Sequence, residues 1–266
     1  MIKIFCCFFH GEYSRNYVKQ LYESVKDNYH GSDELEFICY SEDEKVKADR
    51  VIMLPKKSRI KAHWCKLNFF NPMFGDQKPG DDIIVMDIDQ MVCGDLTEMI
   101  TYQCGPNDLV SYESWWNRHK EKGNTITING GWYKFKSGAH MYLWERFIRD
   151  PEYWQMYYYK AGTVHLPYYG EQNFVEDTVL KAKKNIAHLP GHWVTKWTNR
   201  LAENRKLEYK YQELFNQDYM ILDDINPVIK IIHFTGKDNR IEDCNHHWRK
   251  SRWAAHIEEK STGVGK

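Results

Sequence analysis

An uninterrupted apolar run at residues 83–86 (IIVM) most limits how this chain can fold. Four apolar residues in a row, bounded by the turn-forming stretch GDQKPGD and by Asp87, are typical of a strand buried on both faces near the centre of a parallel sheet. In open α/β sheets, ligands bind beyond the carboxyl ends of such strands. The residues that directly follow position 86 are therefore the first place to look for a functional site.

Shorter patterns on either side predict the other elements. Strands are predicted at 2–9, 35–40, 50–54, 108–112, 185–189 and 228–233, and two short strands around a glycine turn at 125–135. Helices are predicted after the cap Ser14, at 58–71, at 95–102, at 138–149 with Ser137 as cap, at 172–183, and over the polar stretch 199–217. A strand–helix–strand opening implies right-handed crossovers, so we predict an α/β fold with a mainly parallel central sheet flanked by helices.

Composition excludes several classes of partner. Lys+Arg and Asp+Glu are both 37, and a net charge of zero argues against nucleic acid as the main partner. No apolar run approaches the roughly 20 residues of a membrane span, so we do not expect an integral membrane protein. The 7 cysteines form no C-x-x-C pair and several lie in apolar runs, which favours free thiols and a cytoplasmic location.

Asp87-Ile88-Asp89 comes directly after the apolar strand. Alternate side chains of an extended segment point the same way, so both aspartates can converge on one point while Ile88 turns into the core. Two carboxylates at one point repel each other, and a hard dication with oxygen ligands relieves that repulsion. About one Asp-x-Asp pair is expected by chance in such a chain, so the position at the strand end is what favours a metal site.

His233 ends a second apolar strand, in the segment IIHFTGK. A histidine in such a place is more often packed than ligating, but an imidazole that joined the two aspartates would favour Mn²⁺ over Mg²⁺ because nitrogen is the softer donor. Gly236 and Lys237, with Arg240 close by, indicate backbone and cationic groups that could meet a phosphate.

Two further segments place polar residues beside glycine. Asn129-Gly130-Gly131 is either a simple hairpin turn or a place where Asn129 bonds a sugar hydroxyl while Gly131 lets the backbone approach it. Gly170-Glu171-Gln172-Asn173 opens a predicted helix, and its simplest interpretation is a helix start with an acid in the first turn.

Taken in order, these segments resemble the GT-A-fold glycosyltransferases, especially the glycogenin-like family 8 group. IIVMDIDQMVCGDL resembles the strand with its Asp-x-Asp, INGGWYKF the "NSGV" segment, GEQNFVED the "DQD" segment and IIHFTGK the C-terminal "HFxG" segment. HWCKLNFF is similar to the region where a Lys or Arg reaches the donor. The resemblance implies one GT-A-like domain over 1–260, with a Rossmann-like nucleotide-sugar-binding half at 1–112, an irregular donor-sugar and acceptor half at 113–245, and a flexible tail at 261–266.

The resemblance also implies roles for single residues. Asp87, Asp89 and His233 would bind the metal, with Asp87 also at the ribose. Asn129, Glu171 and Gln172 would act in the transfer, and the backbone at Gly131 would approach the sugar. Lys66 would face the donor diphosphate or sugar, Gly236 and Lys237 or Arg240 would hold phosphate, and Cys7, Phe8 and Tyr13 would cradle the nucleoside with Tyr13 on the base. This chain has Glu171 and Asn173 where the family has aspartate on both sides of the glutamine.

The expected activity is transfer of a sugar from a nucleoside diphosphate sugar, a UDP-sugar being favoured, to a glycan, lipid or protein hydroxyl with Mn²⁺ or Mg²⁺. Family 8 members retain anomeric configuration, so retention is expected; an inverting enzyme would need a carboxylate base, for which Glu171, Glu176 and Asp177 are candidates. One alternative is a sugar nucleotidyltransferase, although the stretch after the first strand, CCFFHGEYSR, holds a single glycine. Another is a non-catalytic carbohydrate-binding protein, which the 10 Trp and 18 Tyr would suit.

Overall fold

The computed structural model describes residues 1–11, 13–102, 105–114, 126–196 and 230–234. The predicted helix at 199–217, the start of the strand predicted at 228–233 and the predicted tail at 261–266 lie outside these ranges. The predicted domain limits also extend beyond them and stay predictions.

Among the described residues, the larger sheet contains seven strands: β1 (Ile2–Phe8), β2 (Leu35–Ser41), β3 (Arg50–Met53), β4 (Asp82–Met86), β6 (Leu109–Ser111), β7 (Trp132–Lys136) and β8 (Ile186–His188). Their order across the sheet is β3-β2-β1-β4-β7-β6-β8. All neighbouring pairs are parallel except those of β7, which runs antiparallel to β4 and to β6. The predicted mainly parallel sheet is confirmed, and the apolar run forms its central strand.

A smaller sheet lies next to the carboxyl end of β4. It consists of β5 (Gln90–Val92), β10 (Ile231–His233) and β9 (Val194–Lys196), in the order β5-β10-β9. β10 is antiparallel to β5 and parallel to β9. Because only residues 87–89 separate β4 from β5, the chain passes from the central strand into this sheet at the predicted acidic segment.

Helices cover both faces of the larger sheet. They are α1 (Arg15–Asn28), α2 (Leu96–Thr101), α3 (Met141–Arg149), α4 (Pro151–Lys160) and α5 (Glu171–Lys181), together with 3₁₀ helices at Ala62–Phe70 and Gly191–Trp193. One core cluster packs α1 against one face through Val18, Leu21 and Ile84. The other packs α3, α5 and the long 3₁₀ helix against Phe5 and Val85 on the opposite face. α1 begins directly after Ser14, as predicted, although the Ser14 side chain makes no capping hydrogen bond.

Three local predictions are wrong. The helix predicted at 58–71 is a 3₁₀ helix over Ala62–Phe70, whose last seven residues are all buried, so packing rather than an amphipathic face determines its shape. α3 begins after His140 and not after Ser137, because a turn with Gly138 at φ 82° comes first.

The third error concerns the hairpin predicted at 125–135. Ile128 bridges to Glu113, whereas β7 pairs with β4 and β6. The Asn129-Gly130 turn therefore joins segments that have different strand partners.

Among the described residues, no helix is both long and apolar enough to cross a bilayer.

Replacing Ile84 with alanine tests whether β4 is the central, fully buried strand of the core. Ile84 is fully buried in the central strand, so Ile84→Ala should lower the free energy of unfolding by about 3 kcal/mol through lost burial and a residual cavity. Urea unfolding gives this value. Met73→Ala is the control because Met73 is 84% exposed, and it should change stability by less than about 0.5 kcal/mol. An Ile84→Ala protein as stable as the control would contradict the assignment of β4 as the central strand.

Candidate active site

A cavity of about 940 Å³ opens at the carboxyl ends of β1 and β4. Its wall is formed by the ends of these strands, the 3₁₀ helix at Ala62–Phe70, the turn at 129–131, the loop at 163–170, the start of α5 and the end of β10. This is the edge at which parallel sheets place their ligands.

Asp87, Asp89 and His233 come together in this cavity. Each offers one ligand atom, and the three atoms lie within 4.8 Å of one another. The pairing of β10 with β5 explains the approach, because it sets His233 opposite Gln90 and so beside Asp89. Ile88 is buried in the core, as the alternation along the segment predicts.

The donor atoms fit a divalent cation. His233 Nε2 lies 3.0 Å from Asp89 Oδ1, and the Tyr13 hydroxyl donates to Asp89 Oδ2 at 3.2 Å. Two carboxylates and one imidazole suit Mn²⁺ and also Mg²⁺, and three protein ligands leave positions for ligand oxygens. The residue types and their convergence thus meet the requirements of the metal site predicted from the sequence.

Lys66 is buried beside this cluster and is held by protein groups on three sides. Its ammonium donates to Asp87 Oδ1 at 2.9 Å and to the Gly130 carbonyl at 2.7 Å, and it lies 3.5 Å from Glu171 Oε2. Burial alone would lower the pKa of Lys66, but the Asp87 and Glu171 carboxylates outweigh burial and raise that pKa above its ordinary value. Lys66 is therefore a fixed positive charge between two acids.

Glu171 is the least solvated acid of the cavity wall. Burial and the nearby Asp87 charge raise its pKa to about 7, although Lys66 and a hydrogen bond from the Tyr133 hydroxyl act in the opposite direction. A carboxyl with this pKa can both give and take a proton near neutral pH. The helix start predicted here is confirmed, because α5 begins at Glu171.

The turn at 129–131 brings one unpaired donor to the cavity wall. Asn129 is 1% exposed; its Oδ1 accepts from the Gly131 backbone, whereas its Nδ2 has no hydrogen-bond partner among the residues that the structure describes. Gln172 Oε1 accepts from the Gly130 backbone at 2.9 Å, which ties α5 to this turn. An unpaired buried amide in a cavity wall is suited to bind a ligand oxygen.

Gly131 lacks a side chain for a reason that the sequence did not indicate. A Cβ at this position would overlap the Tyr112 hydroxyl and would lie 2.6 Å from Gln90 Nε2. The glycine makes room for these two protein side chains, which lie behind the cavity wall. Its backbone does line the cavity, as predicted.

The first strand contributes to the cavity with one of its two faces. Cys7 lines the cavity, and so does Phe9. Phe8 is fully buried in the core on the other face of the sheet, so the prediction that it contacts the nucleoside is not supported. Tyr13 lines the cavity, with its hydroxyl on Asp89. Gly236, Lys237 and Arg240 lie outside the described residues.

Several cavity residues were missed from the sequence. His63, from the 3₁₀ helix, and His165, from the loop at 163–170, face Tyr169 with ring centroids 5.1 and 5.6 Å away. Burial, reinforced by the Lys66 charge, lowers the pKa of His63 to about 4, so this ring is neutral. His63 and Tyr169 are about 100 positions apart and follow no periodic pattern, so the sequence held no signal for their contact.

Comparison with known structures places this fold among glycosyltransferases. The galactosyltransferase LgtC, solved with donor and acceptor sugar analogues, matches with a TM-score of 0.57 and 12% identity over 100% of this chain and 97% of that chain. The glycosyltransferase GlyE of Streptococcus pneumoniae TIGR4 matches with a TM-score of 0.52 and 15% identity over 98% of this chain. The bifunctional glycosyltransferase WbbM matches with a TM-score of 0.54 and 10% identity over 97% of this chain.

The likeness establishes the fold. The predicted resemblance to GT-A-fold glycosyltransferases is confirmed at that level. The chain spans 63% of the GlyE chain and 51% of the WbbM chain. No protein-family model and no curated protein sequence matches the chain.

The pKa of Glu171 predicts a pH-dependent stability. Between its ordinary pKa of 4.5 and about 7, the unfolded chain loses this proton while the native protein keeps it. Native stability should therefore fall by roughly 3 kcal/mol as pH rises through this window. Glu171→Gln removes the effect, so the stability of the variant relative to the parent should rise by that amount.

Urea unfolding in a metal chelator at about pH 4.5 and about pH 7.5 measures this difference. Glu34→Gln, at an exposed position, serves as the control and should show no comparable change. A pH-independent difference between Glu171→Gln and the parent protein would show that Glu171 titrates normally.

Proposed function

We propose that this chain is a metal-dependent glycosyltransferase that moves a sugar from a nucleoside diphosphate sugar to an acceptor hydroxyl. The convergence of Asp87, Asp89 and His233 in a cavity at the carboxyl end of β4 carries this proposal. The fold shared with LgtC, GlyE and WbbM supports it. Mn²⁺ is the favoured cation, UDP-sugar the favoured donor and retention the favoured outcome.

Asp87, Asp89 and His233 would hold the cation, and Asp87 would also contact the ribose. When bound, Mn²⁺ or Mg²⁺ would supply Lewis-acid stabilisation of the negative charge on the donor diphosphate. Lys66 holds the Asp87 carboxylate in place, and the Tyr13 hydroxyl does the same for Asp89. These contacts orient both carboxylates before any ligand arrives.

The donor sugar would lie against the turn at 129–131 and the start of α5. Asn129 Nδ2, which has no partner among the described residues, would donate to a sugar oxygen, and Gln172 is fixed beside it by its bond to the Gly130 backbone. Glu171, with its pKa near 7, would hold or accept a proton at this side of the sugar. Cys7 and Tyr13 would contact the nucleoside, and Gly236 together with Lys237 or Arg240 would hold the phosphates.

The acceptor would enter from the loop at 163–170. Tyr169 is 44% exposed and lies between the rings of His63 and His165, so it offers an aromatic surface to the apolar face of a sugar. The described cysteines are free thiols, which supports the proposed cytoplasmic location.

A panel of nucleotide-sugars with MnCl₂ tests the proposal. At least one donor should release its nucleoside diphosphate, and Asp89→Ala should reduce the rate at least ~100-fold by removing a metal ligand. Asp33→Ala, at an exposed position, is the matched control and should keep the full rate. Undiminished release in chelator, or by Asp89→Ala, would refute the metal role.

Thermal stability separates this proposal from the two alternatives. A transferase should be stabilised by UDP together with MnCl₂, because both bind the native state. A carbohydrate-binding protein would respond to glycan alone, and a nucleotidyltransferase would release pyrophosphate from a nucleoside triphosphate and a sugar phosphate.

A further inference from the structure

Behind the three predicted metal ligands lies a chain of buried hydrogen bonds. Gln90 Nε2 lies 2.8 Å from the Tyr112 hydroxyl, which is 3.0 Å from His233 Nδ1. His233 Nε2 in turn lies 3.0 Å from Asp89 Oδ1. Gln90, Tyr112 and His233 are all at most 3% exposed. The Tyr112 hydroxyl therefore contacts the ring nitrogen of His233 that points away from the cavity.

The orientation of Gln90 follows from its two contacts. Its Nε2 also donates to the Gly131 carbonyl, at 2.9 Å. Only the NH₂ end of an amide can donate to both this carbonyl and the Tyr112 oxygen, so the direction of the amide is fixed. The Gly131 carbonyl also accepts from the Asp87 backbone at 3.0 Å. One carbonyl thus connects Gln90 to the residue that begins the acidic segment.

We infer that Tyr112, held in place by Gln90, is a positioning residue that sets the tautomer of His233 for cation binding. A histidine that binds a cation through Nε2 carries its proton on Nδ1, and a buried proton there requires an acceptor. The Tyr112 oxygen is within hydrogen-bond distance of Nδ1. This inference rests on the proposed cation site and adds two residues to it.

The packing around Gly131 shows that the arrangement is tightly fitted. A single added Cβ would meet the Tyr112 hydroxyl and Gln90 Nε2 and would lie 3.0 Å from His233 Cε1. Gln90, Tyr112 and His233 therefore surround the Gly131 backbone so closely that there is no space for a methyl group. Such packing limits the rotation of the His233 ring and of the Tyr112 ring.

Tyr112→Phe removes the hydroxyl and keeps the ring. The variant leaves Nδ1–H of the cation-binding tautomer without its acceptor, so the dissociation constant for MnCl₂, measured by electron paramagnetic resonance without nucleotide, should rise about 10-fold. Tyr158→Phe is the matched control because Tyr158 is also buried and its hydroxyl donates to Asp177. It should bind Mn²⁺ within twofold of the parent protein.

A spectroscopic signature distinguishes positioning from general loosening of the structure. In protein labelled with ¹⁵N-histidine and loaded with ZnCl₂, His233 should show a protonated Nδ1 whose proton exchanges slowly with water. The proton should exchange rapidly in Tyr112→Phe and stay protected in Tyr158→Phe. A His233→Gln sample assigns the signal.

If Tyr112→Phe does not fold, Gln90→Met replaces it and should weaken Mn²⁺ binding about fivefold.

The outcomes separate this inference from the proposed function. Weaker Mn²⁺ binding by Tyr112→Phe together with the altered Nδ1 signal supports the positioning role. If Asp89→Ala loses Mn²⁺ but Tyr112→Phe binds it like the parent protein, the cation site stands and the role of Tyr112 is refuted. If the parent protein itself does not bind Mn²⁺, both are refuted.

Discussion

The site depends on holding three acids close together around one buried ammonium. Asp87 and Glu171 both contact Lys66, and Asp89 lies two residues from Asp87 at the same cavity. Lys66 contacts only two of these carboxylates, so Asp89 relies on His233 and Tyr13. A bound dication would relieve the remaining repulsion, and this is the physical reason to expect one here.

The connection and pairing of strands in the two sheets bring residues that are distant in the sequence to this site. β4 ends at Met86, and the acidic segment leads directly into β5 of the smaller sheet. The pairing of β10 with β5 then brings His233 to Asp89, a separation of 144 residues in the chain. The Phe234 backbone donates to the Asp89 carbonyl at 2.7 Å, which fixes the register at the site itself. Backbone pairing thus brings the proposed metal ligands Asp89 and His233 together.

Much of the fold and of the candidate site could be predicted because the local sequence patterns were strong. The apolar run before Asp87, the alternation through Ile88 and the helix start at Glu171 each follow from neighbouring residues alone. The same alternation along β1 puts Cys7 and Phe9 on one face and Phe8 on the other, so the error at Phe8 could have been avoided.

Other features depend on tertiary contacts and left no local pattern. The helix that carries Lys66 is buried over its last seven residues, and the sequence predicted a helix there without indicating its 3₁₀ geometry. The contacts of Gln90 and Tyr112 next to His233 exist only because β5 and β10 pair, so the local sequence carried no sign of them. The contact of His63 with Tyr169 requires a loop whose path the sequence does not specify.

The proposed function requires Asp87, Asp89 and His233 to form one cation site. Anomalous diffraction at the manganese edge, from crystals soaked in MnCl₂ and UDP, locates the bound cation. We expect a single strong peak at about 2.0–2.4 Å from one atom of each of these three residues. No peak between them, or a peak bound by other residues while this site stays empty, would contradict it.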